Sequence, residues 1–279
     1  MFLSFKTVPN KSVDAAGVKL RYRELGQIGS GIPLIFLHHL TAVLDDWDPA
    51  VVDGLAARHH VILFDNRGVG GSKGKAPNSV DEMAQDAIAF IEALGFANVD
   101  LLGFSLGGFI AQTIARQRPS LVRRIILAGT GPAGGAGISN VGAVFQEALA
   151  KAQVSNKHPK QFLFFTQTDN GQAAATAFLA RLNERVTDRD DPASMETIQS
   201  QIQAIQAWGE ANPAFLSDIQ QPTLVANGDH DVMTPTIGSF ELSDRLPNAE
   251  LSIFPDAGHG GIFQYADLFV AQATTFLTK

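Results

Sequence analysis

From about residue 33 onward, short apolar runs alternate with stretches whose apolar residues recur at helical spacing, and no other feature restricts the fold as strongly. The runs are Leu34–Leu37, Val61–Phe64, Val99–Phe104, Ile125–Ala128 and Thr223–Ala226. Strands rich in apolar residues along their whole length are covered on both faces, which is the condition of a parallel sheet between two layers of helices. The clearest helix lies between the second and third runs. Ser79 and Glu82 have capping-box spacing, Val80, Met83, Ala84, Ala87, Ile88, Ile91 and Leu94 share one face, and Gly95 supplies the stop.

The flanks of this pattern differ from its middle. In residues 1–26, Val18, Leu20 and Tyr22 alternate with Lys19, Arg21 and Arg23, which predicts an antiparallel edge hairpin and a mixed sheet. After Ala128 comes the Gly-rich exit Gly129 to Gly137, then about eighty residues with almost no strand signal. We read residues 132–215 as an inserted helical cap, and 1–131 with 216–279 as the core. The strongest cap helix is expected to start with Asp191 as N-cap and Pro192 as first residue, followed by a stripe of Met195, Ile198, Ile202, Ile205 and Trp208. A last strand-like run, Leu251–Phe254, precedes one terminal helix marked by Ile262, Ala266, Phe269, Val270, Ala273 and Phe276.

Composition excludes several classes of function. The net charge is −7 and no Lys or Arg cluster interrupts the acidity, so a nucleic-acid backbone meets no electrostatic footprint. The start, Met1 to Lys6, has neither a basic leader nor a long apolar core, and no later run approaches the roughly 18 apolar residues of a membrane span. Cysteine is absent, which excludes disulfides and Cys-rich metal sites and fits a reducing compartment. The expected location is the cytoplasm, with no membrane partner.

Chemistry concentrates at Gly103-Phe104-Ser105-Leu106-Gly107, which follows one apolar run and opens the helix-like Phe109–Ala115. In that context G-x-S-x-G makes a tight reversal that projects the Ser105 hydroxyl at a helix N-terminus. A serine needs a histidine base and a carboxylate to orient it. His38-His39 and His59-His60 are adjacent pairs beside strands, facing opposite ways, and His158 lies in a polar stretch. His259, in Gly258-His259-Gly260-Gly261 after the last strand-like run, is the candidate base. Asp229 and Asp231 follow the strand ending at Ala226, and spacing does not choose between them.

These features together resemble the α/β-hydrolase superfamily over essentially the whole chain. The elbow matches Gly103 to Gly107, the histidine loop matches His259, and the acid loop matches Gly228, Asp231 and Pro235, so the resemblance favours Asp231. It implies a mostly parallel, doubly wound α/β sheet with an inserted helical cap. The family stretch D-x-R-G-x-G-x-S, present as Asp65 to Ser72, marks a loop near the site with a mainly structural role. By alignment the backbone N–H groups of Leu40 and Leu106 form an oxyanion hole. The family usually has His-Gly where this chain has His38-His39, which leaves the backbone shape there open and makes His39 a candidate pocket residue. Phe104, Phe162, Phe164 and Phe165 are further pocket candidates, unless the cap phenylalanines serve only to seat the cap. Gly129-Thr130-Gly131-Pro132-Ala133-Gly134 matches G-x-G-x-x-G, but Pro132 and the glycines after it make a poor helix opening, so it reads as the hinge into the cap.

The expectation is a serine hydrolase of small, fairly apolar carboxylic esters, acting on ester and water without cofactor or metal. Lactone and carbon–carbon bond hydrolysis use the same triad. A cofactor-free perhydrolase or haloperoxidase is a rival whose relatives tend to carry Pro where this chain has Thr41. The reading from another class is a ligand receptor that keeps the triad without turnover.

Overall fold

The apolar runs fold as the parallel part of one eight-stranded sheet in the computed structural model, which describes residues 4–29, 31–213 and 216–279. Met1 to Leu3, part of the stretch read for a leader, and residue 215, the expected cap boundary, lie outside the described residues. An antiparallel hairpin comes first, from β1 (Lys11–Ala15) and β2 (Val18–Gly26), and β2 pairs antiparallel with β4. The remaining strands are β3 (Leu34–Leu37), β4 (His60–Phe64), β5 (Val99–Phe104), β6 (Val122–Ala128), β7 (Thr223–Gly228) and β8 (Ala249–Phe254). These six run parallel to one another, and the whole sheet has the order β1-β2-β4-β3-β5-β6-β7-β8. The chain passes from β3 outward to β4 and then returns to the other side of β3 as β5. The direction of winding therefore reverses between β3 and β5, where open α/β sheets place their ligands.

Helices alternate with the strands as the periodicity requires. They are α1 (Pro49–Ala56), α2 (Val80–Ala93), α3 (Leu106–Gln117), α8 (Ile237–Arg245), α9 (Gly261–Gln264) and α10 (Ala266–Thr278), with α4 (Val141–Ser155), α5 (Lys160–Leu163), α6 (Asp169–Leu182) and α7 (Met195–Glu210) between β6 and β7. Helix α2 packs on α3 and α1 on α10, and every residue of β3, β4 and β5 is buried. Ser79 caps α2 through the Glu82 amide at 3.2 Å, and Gly95 beyond its end has φ +80°. No helix among the described residues is long and apolar enough to cross a membrane.

Two expectations change, and one charged side chain is buried. Helix α7 begins at Met195 with Ser194 as its cap, the hydroxyl accepting from the Thr197 amide at 3.1 Å. Upstream, the Asp190 amide is engaged by the Asp45 carboxylate at 2.7 Å and its side chain by Arg21, which draws that segment away from a helical path from Asp191 and Pro192. Met195 is consequently 65% exposed, and the buried face is Thr197, Gln201, Ala204 and Ile205. The closing helix is split at Tyr265, whose ring stacks on Phe254 and whose hydroxyl donates to the Pro255 carbonyl at 2.8 Å. Arg23, one of the basic residues of the alternation in β2, is 0% exposed. Its guanidinium donates to Asn10 at 2.8 Å and lies 2.8 Å from Asp45 and 3.3 Å from Asp190. A buried guanidinium is tolerable when carboxylates surround it in this way.

Candidate active site

Ser105 joins β5 to α3 at the reversal of the sheet, with φ 57° and ψ −118°. Such a backbone conformation costs on the order of 1–3 kcal/mol and persists only where the surroundings enforce it. Here the Ser105 amide donates to the Ala128 carbonyl at 2.9 Å, and its carbonyl accepts from Gly108 N–H at 2.8 Å and the Thr130 hydroxyl at 2.9 Å. The flanking glycines are needed for close approach. A Cβ on Gly107 would lie 2.0 Å from the Leu37 carbonyl oxygen, and one on Gly103 would lie 2.3 Å from the Gly107 carbonyl oxygen.

His259 stands in the loop between β8 and α9, 2% exposed. Its Nδ1 is 2.8 Å from Oδ2 of Asp231, in the loop after β7. An ionised carboxylate only accepts, so Nδ1 carries the proton and Nε2 is left as the acceptor. The other Asp231 oxygen accepts from the Met233 and Thr234 amides at 2.8 and 3.0 Å, and the Thr234 hydroxyl lies 2.8 Å from Oδ2. Asp229 is engaged elsewhere, with His230 at 2.6 Å and the Ala257 amide at 3.1 Å. The glycines around His259 serve proximity rather than turning: neither Gly258 nor Gly260 has positive φ, and a Cβ on either would lie within 3 Å of Phe164 atoms.

Ser105 and His259 line one cavity of about 360 Å³ together with Leu40, Thr41 and His39. Leu40 follows β3, and Leu106 is the first residue of α3, whose initial amides have no acceptor within the helix. The cavity has an apolar wall that includes Leu163, Phe145 and Met233, and a polar end where the Lys160 ammonium pairs with the Asp46 carboxylate. Burial pushes the Asp46 carboxyl up, but its neighbours, the Lys160 ammonium foremost, hold it down at about 2. Phe164 borders the cavity. Phe104 lies fully buried beneath it, its ring 4.8 Å from that of His259 and 5.2 Å from that of His39. Phe162 and Phe165 do not border it; they line a separate cavity that shares Leu163 with it, and the Phe165 ring packs on Phe178 at 5.5 Å between centres. His158 is exposed at the rim.

The remaining motifs have local tasks. Asp65 accepts from the Leu44 and Gly71 amides at 2.9 and 3.0 Å, and its carbonyl accepts from Ser72, so the Asp65 to Ser72 stretch braces the loop after β3. Residues 129–134 run as loop, with no helix opening on them. No group of three or more His, Asp or Glu among the described residues is arranged to hold a metal ion.

The profile of the alpha/beta hydrolase fold matches residues 32–265. The chain belongs to the α/β-hydrolase fold family. An α/β-hydrolase fold protein from Chitinophaga pinensis is 42% identical and superposes with a TM-score of 0.92, covering 99% of each chain. A pimeloyl-[acyl-carrier protein] methyl ester esterase from Nitrosomonas europaea is 28% identical over 87% of this chain and 94% of its own. A putative non-heme bromoperoxidase from Mycobacterium tuberculosis is 30% identical over 85% of this chain and 90% of its own.

Within this α/β-hydrolase, the position where the family usually has Gly keeps an ordinary backbone at His39; the left-handed conformation falls on Thr41, at φ 67°. The Thr41 amide donates to Oε1 of the buried Gln201 on α7 at 2.8 Å. Sequence reading missed Thr234, Gln201, Lys160 and Asp46. Thr234 carried a signal, since an Asp followed by Thr three residues later is the spacing of a side-chain turn. Lys160 and Asp46 stand 114 residues apart, and nothing local announces their meeting.

Proposed function

We propose that this α/β-hydrolase is a serine hydrolase of small, fairly apolar carboxylic esters. The observation that carries the proposal is the Asp231–His259 pair at 2.8 Å on the cavity that Ser105 also lines. Oγ of Ser105 attacks the carbonyl carbon while Nε2 of His259 takes its proton, and Asp231 stabilises the imidazolium. The oxyanion is met by the amides of Leu40 and Leu106, each such donor being worth on the order of 3 kcal/mol. His259 then protonates the leaving alkoxide, and water, deprotonated by His259, releases the acid and restores Ser105.

Residues 132–215 serve as the cap that sets acyl preference. It meets the site through the Phe164 carbonyl, which accepts from the Gly260 amide at 2.8 Å beside His259, through Gln201 on the Thr41 amide and through Lys160 on Asp46. Esterolysis is preferred to perhydrolysis because Thr41 uses its amide on Gln201, a bond that a proline at that position does not make. The test is steady-state turnover of p-nitrophenyl esters from acetate to octanoate by the wild type and Ser105→Ala. We expect about 1 to 1000 per second for the shorter esters and none for the variant. Heat stabilisation by the same esters without turnover would support a receptor instead.

A further inference from the structure

We propose that Gln201 on α7 is a positioning residue for the oxyanion hole: it holds the turn that carries the Leu40 amide in a conformation that Thr41 does not favour by itself. The proposal rests on the reading of the cavity as an esterase site in which that amide meets the oxyanion, and it names what keeps the donor in place.

The chain leaves β3 through a turn in which the Ala42 amide donates to the His39 carbonyl at 3.2 Å, with Leu40 and Thr41 at the two corners. Thr41, at the second corner, has φ 67°. A turn with positive φ there is of the type II kind and is normally given Gly or Asn, whereas a β-branched residue is strained in it. The strain is relieved if the Leu40–Thr41 peptide turns over, which converts the turn to type I with negative φ at both corners. Both ends of that peptide are held. The Leu40 carbonyl accepts from Nδ1 of His39 at 2.8 Å, and the Thr41 amide donates to Oε1 of Gln201 at 2.8 Å. Turned over, the peptide would set the Leu40 carbonyl oxygen against Oε1, two acceptors with no proton between them.

Gln201 acts from outside the cavity. It is 1% exposed and is not among the residues that border the cavity, so it acts on the site through Thr41 and Leu40, which do. Its own place is fixed by the core. One helical turn earlier on the same face of α7, the Thr197 hydroxyl donates to the Gly68 carbonyl at 2.9 Å, in the stretch whose Asp65 accepts from the Leu44 amide at 2.9 Å. The loop after β3 is therefore held at Thr41 by α7 and at Leu44 by the Asp65 to Ser72 stretch. The Leu40 amide is bonded to the Cα at one end of the peptide that would turn over, and shifts with it. An oxyanion donor acts only over a narrow range of distance, so the hole depends on the turn keeping one type.

The experiment measures kcat and KM for p-nitrophenyl butanoate with Gln201→Leu, introduced into the wild-type chain and into Thr41→Gly. In the wild-type chain it should lower kcat about thirtyfold, part of what a lost oxyanion donor costs, with KM changed less than about twofold. Gln201→Glu, which keeps an acceptor oxygen at the same reach, should recover most of the loss. Glycine takes positive φ without strain, so in the Thr41→Gly chain the same Gln201→Leu change should cost less than about threefold. A loss of equal size in both chains, or one confined to KM, would overturn the proposal, since a packing defect around α7 is indifferent to Thr41→Gly. Should Gln201→Leu not fold, Gln201→Asn, whose amide is too short to reach Thr41, takes its place. If the wild type turns over no ester, the hydrolase reading fails separately, and the crystal structure of Gln201→Leu decides the role of Gln201. A Leu40–Thr41 peptide turned over, with negative φ at Thr41, supports it, and a turn unchanged from the wild type refutes it.

Discussion

Asp231 reaches His259 with one carboxylate oxygen, at 2.8 Å from Nδ1, while the Met233 and Thr234 amides hold its other oxygen at 2.8 and 3.0 Å. The carboxylate is thus fixed before it orients the ring, and the imidazole has one tautomer open to it. Asp231→Asn presents an amide whose preferred partners differ, and kcat/KM should fall by about four decades. Asp229→Asn, which does not touch His259, should change it less than fivefold. Steady-state kinetics of the two variants checks the ranking, and the reverse order would exchange their roles.

The Thr234 hydroxyl lies 2.6 Å from the Gly129 carbonyl, 2.8 Å from Asp231 and 3.3 Å from Nδ1 of His259. It ties the acid loop to the exit of β6 and holds the carboxylate, and Thr234 does not border the cavity. Thr234→Val should lower kcat by about tenfold, the equivalent of one lost hydrogen bond, with KM nearly unchanged. Thr234→Ser should recover most of the loss. A change confined to KM would place the hydroxyl in substrate binding.

Acid should destabilise the fold through His38. Trp47 Nε1 donates to its Nδ1 at 2.6 Å, which requires that nitrogen to be unprotonated, and burial pushes the pKa down from 6.5 to about 3. Between those values the unfolded chain binds the extra proton, so the unfolding free energy falls as pH drops below 6.5 and is complete above it. At pH 5 the loss is about 2 kcal/mol for this one residue. His38→Gln retains an acceptor for Trp47 and does not titrate. Urea unfolding at pH 7 and pH 5 should show a smaller drop in the variant, and equal drops would contradict the assignment.

Gly107→Ala places a methyl group 2.0 Å from a backbone oxygen of Leu37, so β3 or α3 must move. We expect a loss of about 3 kcal/mol in urea unfolding. Gly95→Ala meets open space and bears only the cost of its positive φ, about 1 kcal/mol. Similar losses for the two would mean that the elbow tolerates a wider turn.

Much of the fold was legible because its determinants are local. Buried strands are continuous apolar runs, and α2 announces itself by Ser79 and Gly95. Ser105 is marked by glycines that must sit two residues either side of it, and His259 by a loop whose glycines let Phe164 approach. Distant partners left no such trace. Asp229 and Asp231 differ only in which neighbours claim their oxygens, and nothing near Arg23 in the chain announces its burial against Asp45 and Asp190. The start of α7 moved for the same reason: the Asp190 side chain is claimed by Arg21 and Arg23, and Ser194 supplies the cap. The polar end of the cavity, built by Lys160 and Asp46, qualifies the apolar pocket expected from the cap phenylalanines.

The chemistry proposed for the cavity requires Ser105 to be an activated nucleophile. The most direct measurement is the intact mass of the wild type, Ser105→Ala and Asp231→Asn after exposure to a fluorophosphonate, which phosphonylates activated serines. We expect one adduct on the wild type, none on Ser105→Ala and a greatly slowed adduct on Asp231→Asn. A folded wild type that forms no adduct, or an adduct that survives in Ser105→Ala, would contradict it.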